Sequence, residues 1–182
     1  MSNGRYNEAL LQKALIFLAE NFKASGSNPK PVVLHSVRVA STLWNQRAPQ
    51  DSVVAALLHD ILEDTNVKST ELQEIFGANI KNIVETLTHN KPDSYTERLE
   101  VAIESYKSSA SYGYDAVIVR AVDLVDNSFY YQKANSQEEI ALLDHKFNAF
   151  MDISRDLLIN SPYWKLLNSA KKDNLPKIVS LG

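Results

Sequence analysis

The most chemically suggestive segment of the sequence is the run from Val53 to Thr65, which ends in four ionisable side chains. These are His59, Asp60, Glu63 and Asp64. On a helix of roughly 100° per residue they share a sector of about 140°. Three carboxylates and an imidazole so placed repel one another unless a cation compensates them, and their nitrogen and oxygen atoms suit a divalent first-row metal. A solvated acidic face at the end of an amphipathic helix explains the same pattern.

Two further residues are candidate ligands, because a mononuclear metal site needs donors from other elements. His35 lies at the predicted start of the second helix, and Asp123 lies on a later helix in line with Arg120 and Asn127. Apolar residues flank Asp123, so its carboxylate is expected to be partly buried and to need a partner. The alternatives are a capping or half-buried histidine at position 35 and a surface Arg120–Asp123 ion pair, which would contribute little.

Helices must position these side chains, because only 5 glycines and 6 prolines interrupt long stretches of helical apolar spacing. The pattern predicts an all-α protein. The expected helices cover about 6–23, 35–46, 51–63, 69–76, 78–87, 94–108, 115–131 and 137–158, with a last short helix opening at Ser161-Pro162. We expect a single domain over 1–182, with a core of about 6–131, helices of about 137–172 packed on it and a loose tail after about 172.

Composition excludes several classes of protein. The 182 residues include 45% apolar and 23% charged residues, which is ordinary for a folded domain. The absence of cysteine excludes disulfides, zinc fingers and cysteine nucleophiles. The net charge of −3 argues against a dedicated nucleic-acid binder, and no apolar run has the length of a membrane span. With no recognisable signal peptide at the N-terminus, we expect a cytoplasmic protein.

The motifs together resemble the HD superfamily of metal-dependent phosphohydrolases, whose pattern is H…HD…D. Within it, residues 55–65 are similar to the AALLHDxxEDT run of the RelA/SpoT hydrolase domain and of the small stand-alone alarmone hydrolases. Ile75-Phe76-Gly77 and residues 83–88 are similar to the family's IxxxFG…LV…VT segment, and residues 120–127 resemble KxADRxxN. The chain departs from that pattern at Arg120, Leu124 and Asp126, where the family usually has Lys, Arg and His.

The resemblance implies an all-α bundle of about eight to ten helices that binds one divalent ion, most commonly Mn²⁺. The metal ligands would be His35, His59, Asp60 and Asp123. Glu63 and Asp64 would position and activate the attacking water. Asn127, Lys23 and Arg38 would contact the substrate.

The family's substrate is guanosine 3′,5′-bis(diphosphate) or the corresponding pentaphosphate, which is hydrolysed to GDP or GTP and pyrophosphate. The sequence leaves two alternatives open. One is an HD phosphohydrolase that acts on another phosphorylated nucleotide, because the three departures lie near the expected phosphate site. The other is a non-catalytic protein that binds a nucleotide or a partner on the same scaffold.

Overall fold

The computed structural model describes residues 6–27, 30–89, 94–134 and 136–175, and these residues contain helices and no strand. This confirms the predicted all-α class. The helices of the described residues are α1 Glu8–Ser25, α2 Val32–Asn45, α3 Gln50–Leu58, α4 Ile61–Asp64, α5 Ser69–Phe76, α6 Ala78–Leu87, α7 Tyr95–Tyr112, α8 Tyr114–Ser128, α9 Gln137–Leu158 and α10 Pro162–Asp173, with a 3₁₀ turn at Tyr131–Lys133. None of these helices is both long and apolar enough to cross a membrane.

The chain divides into two compact units, Met1–Thr88 and His89–Gly182. The expectation of a single domain over 1–182 stays a prediction. Within the second unit, α9 contacts α7, α8 and α10. Most of the tail after residue 172 lies outside the described residues.

In the first unit, α3 is the central helix. Seven of its nine residues are buried, and it contacts α1, α2 and α6. A helix that is apolar on every side must be surrounded by others. Two adjacent alanines, Ala55 and Ala56, are 0% exposed and leave room for those neighbours to approach closely.

In the second unit, α8 has the corresponding role. It contacts α7, α9 and α10, and the run from Ala116 to Leu124 is buried. Gly113 joins α7 to α8 with φ of 123°, a value that L-residues with a side chain rarely adopt. One residue therefore redirects the chain between two helices.

Several helix boundaries differ from the sequence-based expectation. Among them is the end of α7, which lies at Tyr112 and not at about 108. The second helix begins at Val32, which places His35 on its first turn and not at its start. The predicted helix over about 51–63 is interrupted at His59 and Asp60, which separate α3 from α4. The predicted helix over about 115–131 ends at Ser128 and is followed by the 3₁₀ turn.

The buried apolar residues of the first unit should dominate its stability. Ile83 on α6 is 0% exposed, whereas Ile16 on α1 is 47% exposed. We expect Ile83→Ala to lower the free energy of unfolding by about 2–5 kcal/mol, because it removes buried methyl groups and leaves a cavity. The matched change Ile16→Ala should cost less than about 0.5 kcal/mol. Urea denaturation of both variants measures the difference, and equal losses would contradict the assigned core.

Candidate metal centre

The site in the first unit begins at the junction between α3 and α4. The Nδ1 atom of His59 lies 2.8 Å from the carbonyl oxygen of Ala56. In a continuous helix that carbonyl would accept from the backbone N–H of Asp60. The imidazole therefore competes for the acceptor that would carry the helix onward, which gives a local reason for the interruption at His59 and Asp60.

The same hydrogen bond fixes the tautomer of His59. A carbonyl oxygen only accepts, so Nδ1 must carry the proton and donate it to Ala56. In the neutral ring the lone pair then lies on Nε2, which is the arrangement that metal-binding histidines use. His59 is 2% exposed, so its ring is held by packing as well as by this bond.

His35 and Asp60 complete a compact group of donors with His59. The Nε2 atoms of His35 and His59 are 3.1 Å apart, and the two rings meet edge to face at 62°. The Asp60 carboxylate places Oδ1 3.3 Å from Nε2 of His59 and Oδ2 3.8 Å from Nε2 of His35. His35 is 0% exposed on the first turn of α2, where its backbone N–H donates to the Pro31 carbonyl at 3.0 Å.

These distances fit a small divalent ion. Two nitrogens each about 2.1 Å from one ion and at right angles to each other lie about 3 Å apart. The separation of the two Nε2 atoms, 3.1 Å, matches that spacing. A set of two imidazoles and a carboxylate also suits the first-row divalent metals by its donor chemistry.

Glu63 and Asp64 both lie on α4, one turn beyond the His59–Asp60 junction. Asp64 is 4% exposed and Glu63 is half-buried. The carbonyl oxygen of Asp64 accepts from the backbone N–H of Ser27 at 3.1 Å and lies 3.4 Å from its hydroxyl. The loop after α1 therefore holds the end of the segment that carries both predicted catalytic carboxylates.

Asp123 is held in the second unit by two side chains of its own helix. Asn127 Nδ2 donates to Oδ1 at 2.6 Å, and Arg120 donates to Oδ2 at 3.3 Å. Arg120 also donates to the Ser105 hydroxyl at 2.8 Å and lies over the Tyr106 ring. Since Asp123 is 7% and Arg120 6% exposed, the alternative of a surface ion pair is wrong. These two bonds orient the Asp123 carboxylate. Each carboxylate oxygen can accept more than one bond, so these contacts are compatible with a role as a metal ligand.

Of the predicted substrate contacts, Lys23 and Arg38 are exposed on α1 and α2, and their roles stay predictions. A third basic residue, which the motif comparison missed, reaches the site. The Nζ atom of Lys30 is 3.6 Å from Oδ2 of Asp60. The signal that could have identified it is a lysine followed by a proline directly before the helix that carries His35.

Positive charge gathers in the second unit around Arg120. Burial, reinforced by the charges of Arg98 and Arg120, lowers the pKa of Lys146 to about 8. The sequence singled out neither Arg98 nor Lys146, because the three cations come from three different helices. Leu124, one of the departures from the family pattern, is 5% exposed and belongs to the apolar interior of the unit.

The comparisons with known proteins agree with this chemistry. A family model described as HD domain matches residues 14–153. The chain belongs to the HD-domain family. His35 and His59 are buried and each offers a ligand atom, so the family and these residues together indicate a divalent-metal site in the first unit.

Several curated proteins share part of the sequence. A guanosine-3′,5′-bis(diphosphate) 3′-pyrophosphohydrolase from Xenopus tropicalis is 37% identical over 101 residues, which are 53% of this chain and 56% of that protein. A Haemophilus influenzae protein of the same name is 34% identical over 86 residues, 47% of this chain and 12% of the relative. A GTP pyrophosphokinase from Brucella melitensis is 30% identical over 102 residues, 56% of this chain and 14% of the relative. The matches thus span about an eighth to just over half of each relative's length.

Solved structures show the same fold. One is a metazoan orthologue of SpoT, described as hydrolysing ppGpp and as having a role in starvation responses. It aligns with a TM-score of 0.75 and 21% identity over 92% of this chain and 96% of that one. A crystal structure of a Listeria monocytogenes EGD-e protein aligns with a TM-score of 0.57 and 21% identity over 80% of this chain and 99% of that one. At these identities the likeness concerns the fold.

The lowered pKa of Lys146 should make the stability of the protein depend on pH. In an unfolded chain the pKa of lysine is about 10.4. Below pH about 8 the Lys146 side chain is charged in both the folded and the unfolded protein, so burying that charge lowers the free energy of unfolding by its full amount. The cost disappears as pH rises from about 8 to about 10.4, because the native protein releases this proton first. We expect Lys146→Met to raise the free energy of unfolding at pH 7 by about 1 kcal/mol, after allowance for screening by solvent.

The measurement is urea denaturation of wild type and Lys146→Met at pH 7 and near pH 10. The gain should shrink at the higher pH. Lys165→Met, at an exposed position on α10, controls for the loss of one positive charge. A gain that is the same at both pH values would contradict the assigned cost of burial.

Proposed function

We propose that the protein hydrolyses guanosine 3′,5′-bis(diphosphate) to GDP and pyrophosphate, and the corresponding pentaphosphate to GTP and pyrophosphate. The observation that carries the proposal is the convergence of His35, His59 and Asp60, with their Nε2 and carboxylate atoms 3.1–3.8 Å apart. It is the donor set expected of a metal-dependent phosphohydrolase of the HD family. The names of the Xenopus and Haemophilus relatives support the choice of substrate.

We propose that one divalent ion is held by His35, His59, Asp60 and Asp123. Manganese is our choice among the ions that nitrogen and oxygen donors accept. When bound, the ion lowers the pKa of a water molecule and stabilises negative charge on phosphate oxygens. The protein's part is to orient the donors. His59 does so through its bond to Ala56, and Asp123 through its bonds to Arg120 and Asn127. The cytoplasm remains the proposed location.

Glu63 and Asp64 would act as the general base. A carboxylate of this pair takes one proton from the attacking water, whose oxygen forms a bond to the phosphorus attached to the 3′-oxygen. The bond between that phosphorus and the 3′-oxygen breaks, and the proton returns to the 3′-oxygen as the hydroxyl forms. The pyrophosphate that leaves carries the oxygen of the water.

The remaining polar groups would bind the substrate. Asn127 uses its amide nitrogen on Asp123, so its amide oxygen is the group suited to accept from a sugar hydroxyl. Lys23 and Arg38 would contribute positive charge from the first unit.

A second candidate is hydrolysis of another phosphorylated nucleotide by the same donors. The burial of Leu124 favours it, because an apolar residue in the interior replaces the arginine usual in the alarmone hydrolases. Asp126, where those hydrolases usually have histidine, is also buried, at 6% exposure. The two functions share the metal ligands and differ in the substrate cleaved.

The first experiment is incubation of the purified protein with Mn²⁺ and guanosine tetraphosphate, with the products resolved by anion exchange. We expect GDP and pyrophosphate in equal amounts, and no cleavage after chelation of the metal. A panel of nucleoside mono- and triphosphates tested in parallel separates the two candidates. Intact alarmone together with cleavage of another nucleotide would overturn the first candidate and support the second.

The same assay tests the ligands. Asp60→Ala and Asp123→Ala should each abolish metal binding and activity, whereas Asp156→Ala, at an exposed position on α9, should leave both unchanged. Metal content is measured separately by elemental analysis. Full metal occupancy in the Asp123 variant would remove that residue from the proposed ligand set.

The role of Glu63 predicts a different phenotype. Glu63→Gln keeps the size and the hydrogen-bonding shape of the side chain but removes its basicity. We expect unchanged metal content and a turnover number at least about a hundredfold lower, the scale of a lost general base. Glu74→Gln, at an exposed position on α5, is the matched control. Wild-type turnover in the Glu63 variant would exclude it as the base.

A further inference from the structure

Lys30 contacts the metal centre from the segment that leads into α2. Its Nζ atom is 3.6 Å from Oδ2 of Asp60, and the two side chains are 26% and 13% exposed. Oδ2 of Asp60 is also the oxygen that faces Nε2 of His35, at 3.8 Å. A positive charge of the protein itself therefore lies against an oxygen of the donor group.

The backbone holds Lys30 close to this carboxylate. The Lys30 carbonyl accepts from the backbone N–H of Val32 at 2.8 Å, and the Pro31 carbonyl accepts from that of His35 at 3.0 Å. Pro31 has a fixed φ of −72° at the start of α2. Lys30 and His35 are thus parts of one short constrained segment, and the ammonium group reaches Asp60 on a flexible stem.

The charges around Asp60 favour a change of partner for Lys30 when a divalent ion binds. Residues 60–64 bring three carboxylates together, and the ammonium group of Lys30 offsets one of those charges. A divalent ion on Asp60 offers twice that charge and repels the ammonium group. Lysine is a flexible point charge that binds phosphate oxygens well, so a lysine displaced from Asp60 has a suitable partner in an anionic substrate.

We propose that Lys30 is an exchangeable counter-ion of the metal centre. It pairs with Asp60 when no metal is bound, competes with the metal for that carboxylate, and donates to a phosphate group once metal occupies the site. The competition depends only on the metal site. The phosphate contact rests on the proposed function, and it makes Lys30 a substrate-binding residue.

The test compares Lys30→Gln with Lys81→Gln. Lys81 forms a similar pair with Glu85, at 2.7 Å, on α6, so its removal controls for the loss of one lysine–carboxylate contact. Calorimetric titration with Mn²⁺ alone should show binding about two- to fivefold tighter in Lys30→Gln, the scale of a partly exposed ion pair. Lys30→Arg, which keeps the charge, should bind the metal like wild type, and Lys81→Gln should too.

The phosphate contact is measured with inorganic pyrophosphate as the probe and Mn²⁺ saturating, so that it does not depend on turnover. Lys30→Gln should bind pyrophosphate about tenfold more weakly, the scale of one charge-assisted hydrogen bond. In the alarmone assay the loss should appear in KM more than in kcat. Lys30→Arg should restore most of the affinity for pyrophosphate.

The outcomes separate the two proposals. Metal binding in Lys30→Gln that is unchanged or weaker than in wild type overturns the competition, whatever substrate the protein cleaves. Unchanged pyrophosphate affinity overturns the phosphate contact. If Lys30→Gln binds Mn²⁺ more tightly and the wild-type protein leaves the alarmone intact, the counter-ion role is supported and the substrate proposed above is rejected.

Discussion

The hydrogen bond between the His59 imidazole and the Ala56 carbonyl is the interaction on which the metal centre depends. It uses the acceptor that would have continued α3, and it fixes the ring nitrogen that bears the lone pair. A single bond therefore lies at the junction of α3 and α4 that carries Asp60, and it fixes the tautomer of the neighbouring imidazole. Ala56, whose carbonyl accepts this bond, is 0% exposed within the buried helix α3.

The second unit positions its carboxylate by a different means. Asp123 lies within a regular helix, and its orientation comes from Arg120 and Asn127, one turn before it and one turn after it. Arg120 is in turn held by Ser105 on the neighbouring helix. A buried ion pair of this kind adds little to stability by itself, because desolvation offsets its attraction. Its value is the defined direction of the carboxylate.

Much of the helical pattern could be predicted from the sequence, because breakers and periodicity are local signals. The bounds of α5, α6 and α9 agree with the prediction, and each of these helices begins or ends at a turn signal that is visible in the sequence. The interruption at His59 was not predictable in this way, because the residues on both sides keep helical spacing and the cause is one side chain bonding to one carbonyl. Lys30 was missed for a related reason, since a loop residue shows no periodicity and its partner is 30 positions away.

The shortest helix of the described residues, α4, carries both proposed base residues and has consequences for local opening. Four residues form too few hydrogen bonds to be stable alone, so the helix persists through the contacts at its ends. The bonds from Ser27 to the Asp64 carbonyl are among those contacts. Amide hydrogens of this segment should therefore exchange with solvent in openings smaller than global unfolding, while those of α3 exchange much later. The two carboxylates proposed as the general base thus lie on a short helix that can open locally, next to the buried helix α3.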